Sequence, residues 1–425
     1  MPILVFSVSV YVRLFRCHLV KFHQTHSLQC SFFNLQKHTR NKNEKQHDRI
    51  FRTFPMRKSC VLFGKTLLVV LPYSNCIVRL KTAMVGYIGK RVAWRRCFLI
   101  FWLCVASFLS VLAQSRASAR CFRVMEYNVE NLFDCEHDTL KDDLQFTPSG
   151  SYEWTPGKYW RKLNAVARGI VLGATQDDEF HVPDIIGLCE VENDSVLHSL
   201  TRRSLLRGAG YEYVMTNSPD NRGIDVALLY QPLTFKLLNH YSLRIDTIAD
   251  MRPTRDILYV KGETFLGELN VFMVHFPSRS RGERATRPFR QEAMNRLCQS
   301  LDSICRQESE AKILIMGDFN DYSDDKTLRQ LHERSFVEVT SPERISFPPG
   351  IKGTYRYQGL WGSLDHVFVS ASLLSSFRSS AIASHPSLVE YDSKYGGMRP
   401  YRFFRGPTIY GGYSDHLPIL VEFSY

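Results

Sequence analysis

Lys312-Ile313-Leu314-Ile315-Met316-Gly317-Asp318-Phe319-Asn320-Asp321 is the stretch on which the reading of the whole chain turns. Its apolar run has the length of a buried strand. Gly317 allows the backbone to leave that strand tightly, which puts Asp318 and Asn320 at its carboxyl end. Alternation points these two to one side and turns Phe319 away to pack. An acid and an amide side by side at a strand mouth suit a hard cation, a water or a phosphate oxygen. An Asx-type turn closing an ordinary strand has the same composition, so the rest of the chain decides.

Upstream, residues 122–129 alternate apolar and polar like a strand and end in Asn128, Glu130 and Asn131. A polar loop over 134–156 follows. Trp160, Leu163, Ala167, Ile170 and Val171 then recur at helical spacing. That helix leads to a second apolar strand, 183–190, which ends on Glu190. Further strands are predicted over 211–215, 224–230, 257–260 and 269–275, the last ending on His275. The clearest helix runs over 287–305, with Phe289, Ala293, Leu297, Leu301 and Ile304 on one face. Two final strands, 364–369 and 417–423, carry Asp365 and follow Ser414-Asp415-His416. Strand, helix, strand with functional groups at strand ends predicts an α/β sandwich, and residues 120–425 read as one domain without internal repeats.

The chain has 425 residues and a formal charge of +12, but the charge is unevenly placed. Residues 1–83 hold 14 Lys/Arg against 2 Asp/Glu, and 84–119 hold 5 Lys/Arg and no acid. From Arg120 onward 35 basic residues face 40 acidic ones, a net of −5. The high overall pI therefore says nothing about the partners of the main body. Lys90, Arg91, Arg95 and Arg96 precede an apolar run over 97–113, and Ala117-Ser118-Ala119 offers a small-residue cleavage site. Residues 84–119 thus read as a signal peptide, or a membrane anchor if uncleaved, which implies export to the periplasm or the exterior. Residues 1–83 read as an extension outside the folded protein, non-native or disordered, with Met84 the initiator. Five cysteines remain after residue 119, an odd and unclustered set that is no disulfide framework, and no Cys/His cluster has zinc spacing.

Six strand ends or edges carry polar groups: Asn128, Glu190, His275, Asp318 with Asn320, Asp365, and Asp415 with His416. The pieces Tyr127-Asn128-Val129, Ile186-Gly187-Leu188-Cys189-Glu190-Val191, Val274-His275-Phe276-Pro277-Ser278, Gly317-Asp318-Phe319-Asn320, Ser363-Leu364-Asp365-His366 and Ser414-Asp415-His416-Leu417-Pro418 together resemble the endonuclease/exonuclease/phosphatase superfamily, the deoxyribonuclease I-like group, in its secreted bacterial form. The resemblance implies a four-layer α/β/β/α sandwich of two mixed sheets and metal-dependent hydrolysis of phosphoesters. It makes His275, Asp318, Asn320, Asp365 and His416 the expected catalytic residues and Asn128, Glu190 and Asp415 the expected ligands of Mg²⁺ or Mn²⁺, with Ca²⁺ a third option. A cation held by oxygen ligands acts as a Lewis acid on the phosphate. Asp318 would orient or deprotonate water, Asn320 and the two histidines would donate to the phosphate, and Asp365 would hold the tautomer of His416. Arg255 is the expected phosphate clamp. His366, Asp321 and Asp324 read as solvated, and Asp225 as either a site group or an interior strand polar.

Two basic stretches flank the expected site: Arg279, Arg281, Arg284, Arg287 and Arg290 after His275, and Arg399, Arg402 and Arg405 with aromatic residues before Ser414. Interleaved arginines and rings suit base stacking with phosphate pairing, which favours nucleic acid as substrate. A phospholipid or small phosphoester is the alternative. A non-catalytic binding module is the reading from a different class, and no obligate protein partner is evident.

Overall fold

In the computed structural model the described residues are 60–63, 66–70, 77–81, 121–176, 179–248, 250–383 and 385–424. The chain divides into two units, Met1–Ala113 and Gln114–Tyr425. In the first, Cys60–Phe63, Thr66–Val70 and Ile77–Lys81 form a three-stranded antiparallel sheet. The expected signal segment, 84–119, lies outside the described residues, as does most of 1–83.

In the second unit the chain order is β1 Cys121–Leu132, α1 Pro156–Gly173, β2 Ile185–Val191, α2 Asp194–Arg202, β3 Glu212–Met215, β4 Asp225–Tyr230, β5 Lys236–Leu243, β6 Ile257–Thr264, β7 Gly267–His275, α3 Glu283–Gln307, β8 Ile313–Asp318, α4 Lys326–Glu333, β9 Val337–Glu338, β10 Ile345–Ser346, β11 Asp365–Val369, β12 Phe377–Ile382 and β13 Ile419–Ser424. Short hairpins and turns fill the intervals. One sheet has the order β5-β6-β7-β8-β11-β9 and the other β10-β12-β13-β1-β2-β4-β3. Both mix parallel and antiparallel neighbours: β7 and β8 are parallel, as are β1 and β2.

The decisive run is buried along its whole length as β8. Its alternation explains why. Leu314 and Met316 pack between the two sheets with Val124, Val226, Val271 and Val421. Ile313 and Ile315 face the other way, against Ala293, Leu297 and Leu301 of α3 and Leu328 and Leu331 of α4. On the far side, Met125, Tyr127, Ile186 and Leu188 meet Leu163, Ala167 and Ile170 of α1 and Val196 and Leu197 of α2. A strand covered on both faces must be apolar at every position, and four layers result. The fold is the α/β/β/α sandwich. In α1 the buried face runs through Tyr159, Lys162, Leu163, Val166 and Ile170, so Trp160, expected inward, lies at the exposed edge. The five cysteines from Cys121 onward are free thiols.

Gly317 holds φ +140, and a Cβ there would stand 1.9 Å from the carbonyl oxygen of Val274. The close approach of β7 and β8 at the site thus demands glycine. Gly317→Ala is expected to destabilise the domain by about 3 kcal/mol or more, measured as a loss of denaturation midpoint; a wild-type midpoint would contradict this account of the strand pair.

Candidate active site

Register brings the site together. His275 of β7 lies beside Asp318 of β8, and Asp318 beside Asp365 of β11, so three functional groups form a row across adjacent strands of one sheet. The opposing sheet supplies Asn128 near the end of β1, Glu190 near the end of β2, and His416 just ahead of β13. The Asn128 amide donates to Asp318 Oδ2 at 3.1 Å, and His275 Nε2 stands 3.7 Å from the same oxygen. His416 Nδ1 meets Asp365 Oδ2 at 2.7 Å. Donor atoms of Asp318, Asp365 and His416 all lie within 4.8 Å of one another, and all three residues are buried. Glu190 and Asn320 both sit in the left-handed backbone region, at φ +67 and +50. Such strain in non-glycine residues needs a surrounding structure that enforces it.

Burial and like charges set the electrostatics. Burial pushes Asp318 up to about 7, and Asp365 and Glu190 add to the rise. Burial would lower His416, but the Asp365 carboxylate overrides it and holds the imidazole well above its ordinary value, with Asp415 and Asp318 assisting. His275 goes the other way: burial, with Arg255 and Arg222 nearby, keeps it well below. One site therefore holds a cationic histidine, a neutral histidine and a carboxyl poised near neutrality.

The remaining expected residues take other positions. Arg255 is buried behind the site: its Nε donates to the His275 carbonyl at 3.1 Å, its Nη2 to the Phe276 carbonyl, and its Nη1 pairs with Asp220 at 3.2 Å. It braces the strand end, which corrects the phosphate-clamp expectation; a guanidinium committed on three edges inside the protein has no bidentate face for substrate. Asp415 pairs with Arg402 at 2.9 Å and is not one of the Asp318–Asp365–His416 group, so its carboxylate is shared with a guanidinium. Asn320 gives its amide to the Phe276 carbonyl at 3.1 Å, so only its second N–H remains for a phosphate. His366 and Asp321 are buried, not solvated: His366 pairs with Glu338 at 2.7 Å, and Asp321 with Arg290 at 2.6 Å. Asp225 is an interior polar group, held by Thr216 and Ser218. In the first arginine stretch, Arg279 and Arg287 pair with Glu283, while Arg281 and Arg284 are exposed.

Several working residues were not anticipated. Glu126, two residues before Asn128, is buried without a hydrogen-bond partner for either oxygen among the described residues. Burial raises it well above its ordinary value, helped by Asp365 and Asp318, so it is a neutral floor beneath the site. Its place one strand repeat before Asn128 was the available signal. Thr354 donates its hydroxyl to Asp365 Oδ2, and the Tyr355 ring covers the His416 imidazole at 4.9 Å. Ser414 ties the Asn128 carbonyl to the His416 amide, at 2.6 and 3.1 Å. Arg402 bridges Glu130 and Asp415, and buried Lys162 donates to the Tyr413 carbonyl at 3.0 Å. These bonds latch the loop that carries His416 to the end of β1.

The donor set fits a hard divalent cation. Asp318 and Glu190 offer carboxylates, Glu190 Oε2 accepting from the Asn131 amide at 2.9 Å, and Asn128 Oδ1 accepts from the Glu130 amide at 3.1 Å with a second lone pair left. The crowding that lifts Asp318 is what a dication among these oxygens would relieve. Asp365 and His416 are committed to each other and to Thr354, so they read as an orienting pair and not as a chelate.

A family model described as "Endonuclease/Exonuclease/phosphatase family" matches residues 123–424. No curated protein matches. Among solved structures, a mannosyl-6-phosphatase from Bacteroides thetaiotaomicron has 17% identity and a TM-score of 0.45, covering 72% of this chain and 100% of its own. The human nocturnin catalytic domain has 20% identity and a TM-score of 0.44, with 72% and 94% covered. D. rerio TDP2, complexed with a single-strand DNA product, has 14% identity and a TM-score of 0.46, with 72% and 99% covered.

Proposed function

Because this protein belongs to the endonuclease/exonuclease/phosphatase family, we propose that it is a divalent-metal-dependent phosphodiesterase, an exported nuclease that cleaves by in-line attack of water. The observation that carries the reading is the meeting of Asp318, Asp365 and His416 from two sheets, with Asn128 bonded to Asp318. Export is supported by the apolar run and small-residue site of 84–119.

Asn128, Glu190 and Asp318 would hold Mg²⁺ or Mn²⁺, which supplies Lewis-acid polarisation of the phosphate oxygens and leaving group. Asp318 orients the attacking water and takes its proton, in the ionised form that a neighbouring cation would favour. His416 is cationic and fixed at Nδ1 by Asp365, so Nε2 is left to donate to a phosphate oxygen as charge accumulates. Neutral His275 donates beside it without adding a second buried charge. Asn320, tethered to Phe276, offers its remaining N–H to the same oxygens. Tyr355 and Thr354 keep the His416–Asp365 pair in place.

The test is hydrolysis of plasmid DNA, single-stranded RNA, sphingomyelin and bis-p-nitrophenyl phosphate by the purified protein, with Mg²⁺, Mn²⁺ or EDTA. Metal-dependent cutting of DNA or RNA is expected. Turnover of the lipid or small ester alone would replace the nuclease with a phosphoesterase of the same chemistry, and silence on all four would favour a binding module. Replacing exposed Arg281 and Arg284 together with Ala is expected to raise KM for nucleic acid and to flatten the salt dependence of binding. For a single strand the log–log slope should fall by about 1.4 for two lost phosphate contacts. An unchanged slope would make both arginines bystanders.

A further inference from the structure

A hairpin that the mechanism leaves unused, Tyr355–Tyr357 paired with Leu360–Gly362, rises directly from the catalytic pair. At its root Thr354 bonds Asp365, the Thr354 carbonyl accepts from the Leu417 amide at 2.8 Å, and Tyr355 forms a bridge to His416. Its register is Tyr355 with Gly362, Arg356 with Trp361, and Tyr357 with Leu360. Partners across a hairpin share a face, and alternate residues along a strand do too. Tyr355, Tyr357, Leu360 and Gly362 therefore line one face, the one that covers His416. A Cβ on Gly362 would come within 2.8 Å of the Tyr322 ring, so Tyr322 lies on this same face. The Arg279 guanidinium sits over Tyr322, 4.7 Å from its ring centroid.

The opposite face is fully engaged. Arg356 donates to the carbonyls of Gly359, Met398 and Gly396 at 3.0, 2.9 and 2.6 Å and pairs with Asp392, which fixes the hairpin on the 389–400 segment. A rigid hairpin thus turns its rings to the side of the catalytic histidine. Tyr357 is 62% exposed, Leu360 77% and Tyr322 43%, so this face is open to a ligand. Two residues of strand, about 7 Å, separate Tyr357 from the ring that covers His416.

We propose that this face is a stacking wall for the unpaired base next to the scissile phosphate, and that it selects single-stranded over duplex nucleic acid. The proposal rests on the nuclease reading. A ring wall receives a base only when the base is unstacked from its neighbours, and Arg279, paired with Glu283 and Asp325, holds the Tyr322 ring in the wall. A base within a duplex presents its edges to the groove and not its faces.

The test compares one oligonucleotide in three forms: single-stranded, annealed to its complement, and single-stranded with abasic residues throughout. The wild-type protein is expected to cut the single strand at least about tenfold faster than the duplex. Tyr357→Ala should lose about tenfold in kcat/KM on the intact strand, by a rise in KM, as befits one lost base stack. The same variant should match wild type on the abasic strand, and Tyr357→Phe should restore the loss. Equal losses on intact and abasic strands, no loss at all, or a wild-type preference for duplex would overturn the wall while leaving the nuclease standing. A wild-type protein that turns over bis-p-nitrophenyl phosphate but no nucleic acid would overturn both.

Discussion

Asp318→Ala and His416→Ala are each expected to lower kcat/KM on a phosphodiester by about a thousandfold or more. Asp318 is the meeting point of the two sheets, bonded to Asn128 and 3.7 Å from His275. Its loss removes the group proposed to position the water. Of the two site histidines His416 is the one held in its charged form, so its loss removes the stronger of the two proposed imidazole donors to the phosphate. Stability should respond quite differently from activity. Asp318 is buried among like charges and lifted to about 7, so deleting it relieves a cost of folding as well as removing contacts. Asp318→Asn, which keeps the Asn128 contact, should melt at or above the wild-type temperature at pH 8 while remaining inactive. Because both residues serve one transition state, the double variant should be far less impaired than the product of the single losses. Full activity in either single variant would overturn the assignment, and a coincident loss of melting temperature in Asp318→Asn would make the residue structural.

The fold was legible because a four-layer sandwich writes itself into sequence. Ile313–Met316 is apolar at every position since both faces of β8 are covered, and α3 shows its buried stripe through Ala293, Leu297 and Leu301. The site was legible where a polar group interrupts an apolar strand, as at Asn128, Glu190, His275, Asp318 and Asp365. It was illegible where the partner comes from a loop. Nothing in the spacing of Thr354 and Tyr355 announces that they hold Asp365 and His416. Arg255 misled for the converse reason. An arginine near a strand end has the chemistry of a phosphate clamp, and only the fold shows that its donors are spent on Asp220 and on the carbonyls of His275 and Phe276. Asp415 likewise has the composition of a metal ligand, and only the fold shows that one of its oxygens is paired with Arg402.

Chelation should abolish turnover, and the stability that bound metal adds should depend on pH. Asp318 and Glu130 are raised to about 7 and Glu192 to about 8, each chiefly by burial. A carboxyl whose folded value lies above its unfolded value, about 4, binds more protons in the folded state across that interval. Its contribution to stability is complete below the unfolded value and is lost as pH rises through the folded one. In EDTA the melting temperature should therefore fall from pH 5 to pH 8. Metal binding at Asn128, Glu190 and Asp318 requires ionised carboxylates, so its stabilisation grows over the same window. With Mg²⁺ or Mn²⁺ at about a hundred times its dissociation constant, the gain is about 2.7 kcal/mol, worth roughly 4 °C in a domain of about 300 residues. It should be largest at pH 8 and nearly absent at pH 5. Thermal melts at four pH values, with and without metal, would read this directly, apart from any assay of activity. A metal-induced shift that is greatest at pH 5, or none at any pH together with EDTA-resistant turnover, would remove the cation from the oxygens of Asn128, Glu190 and Asp318.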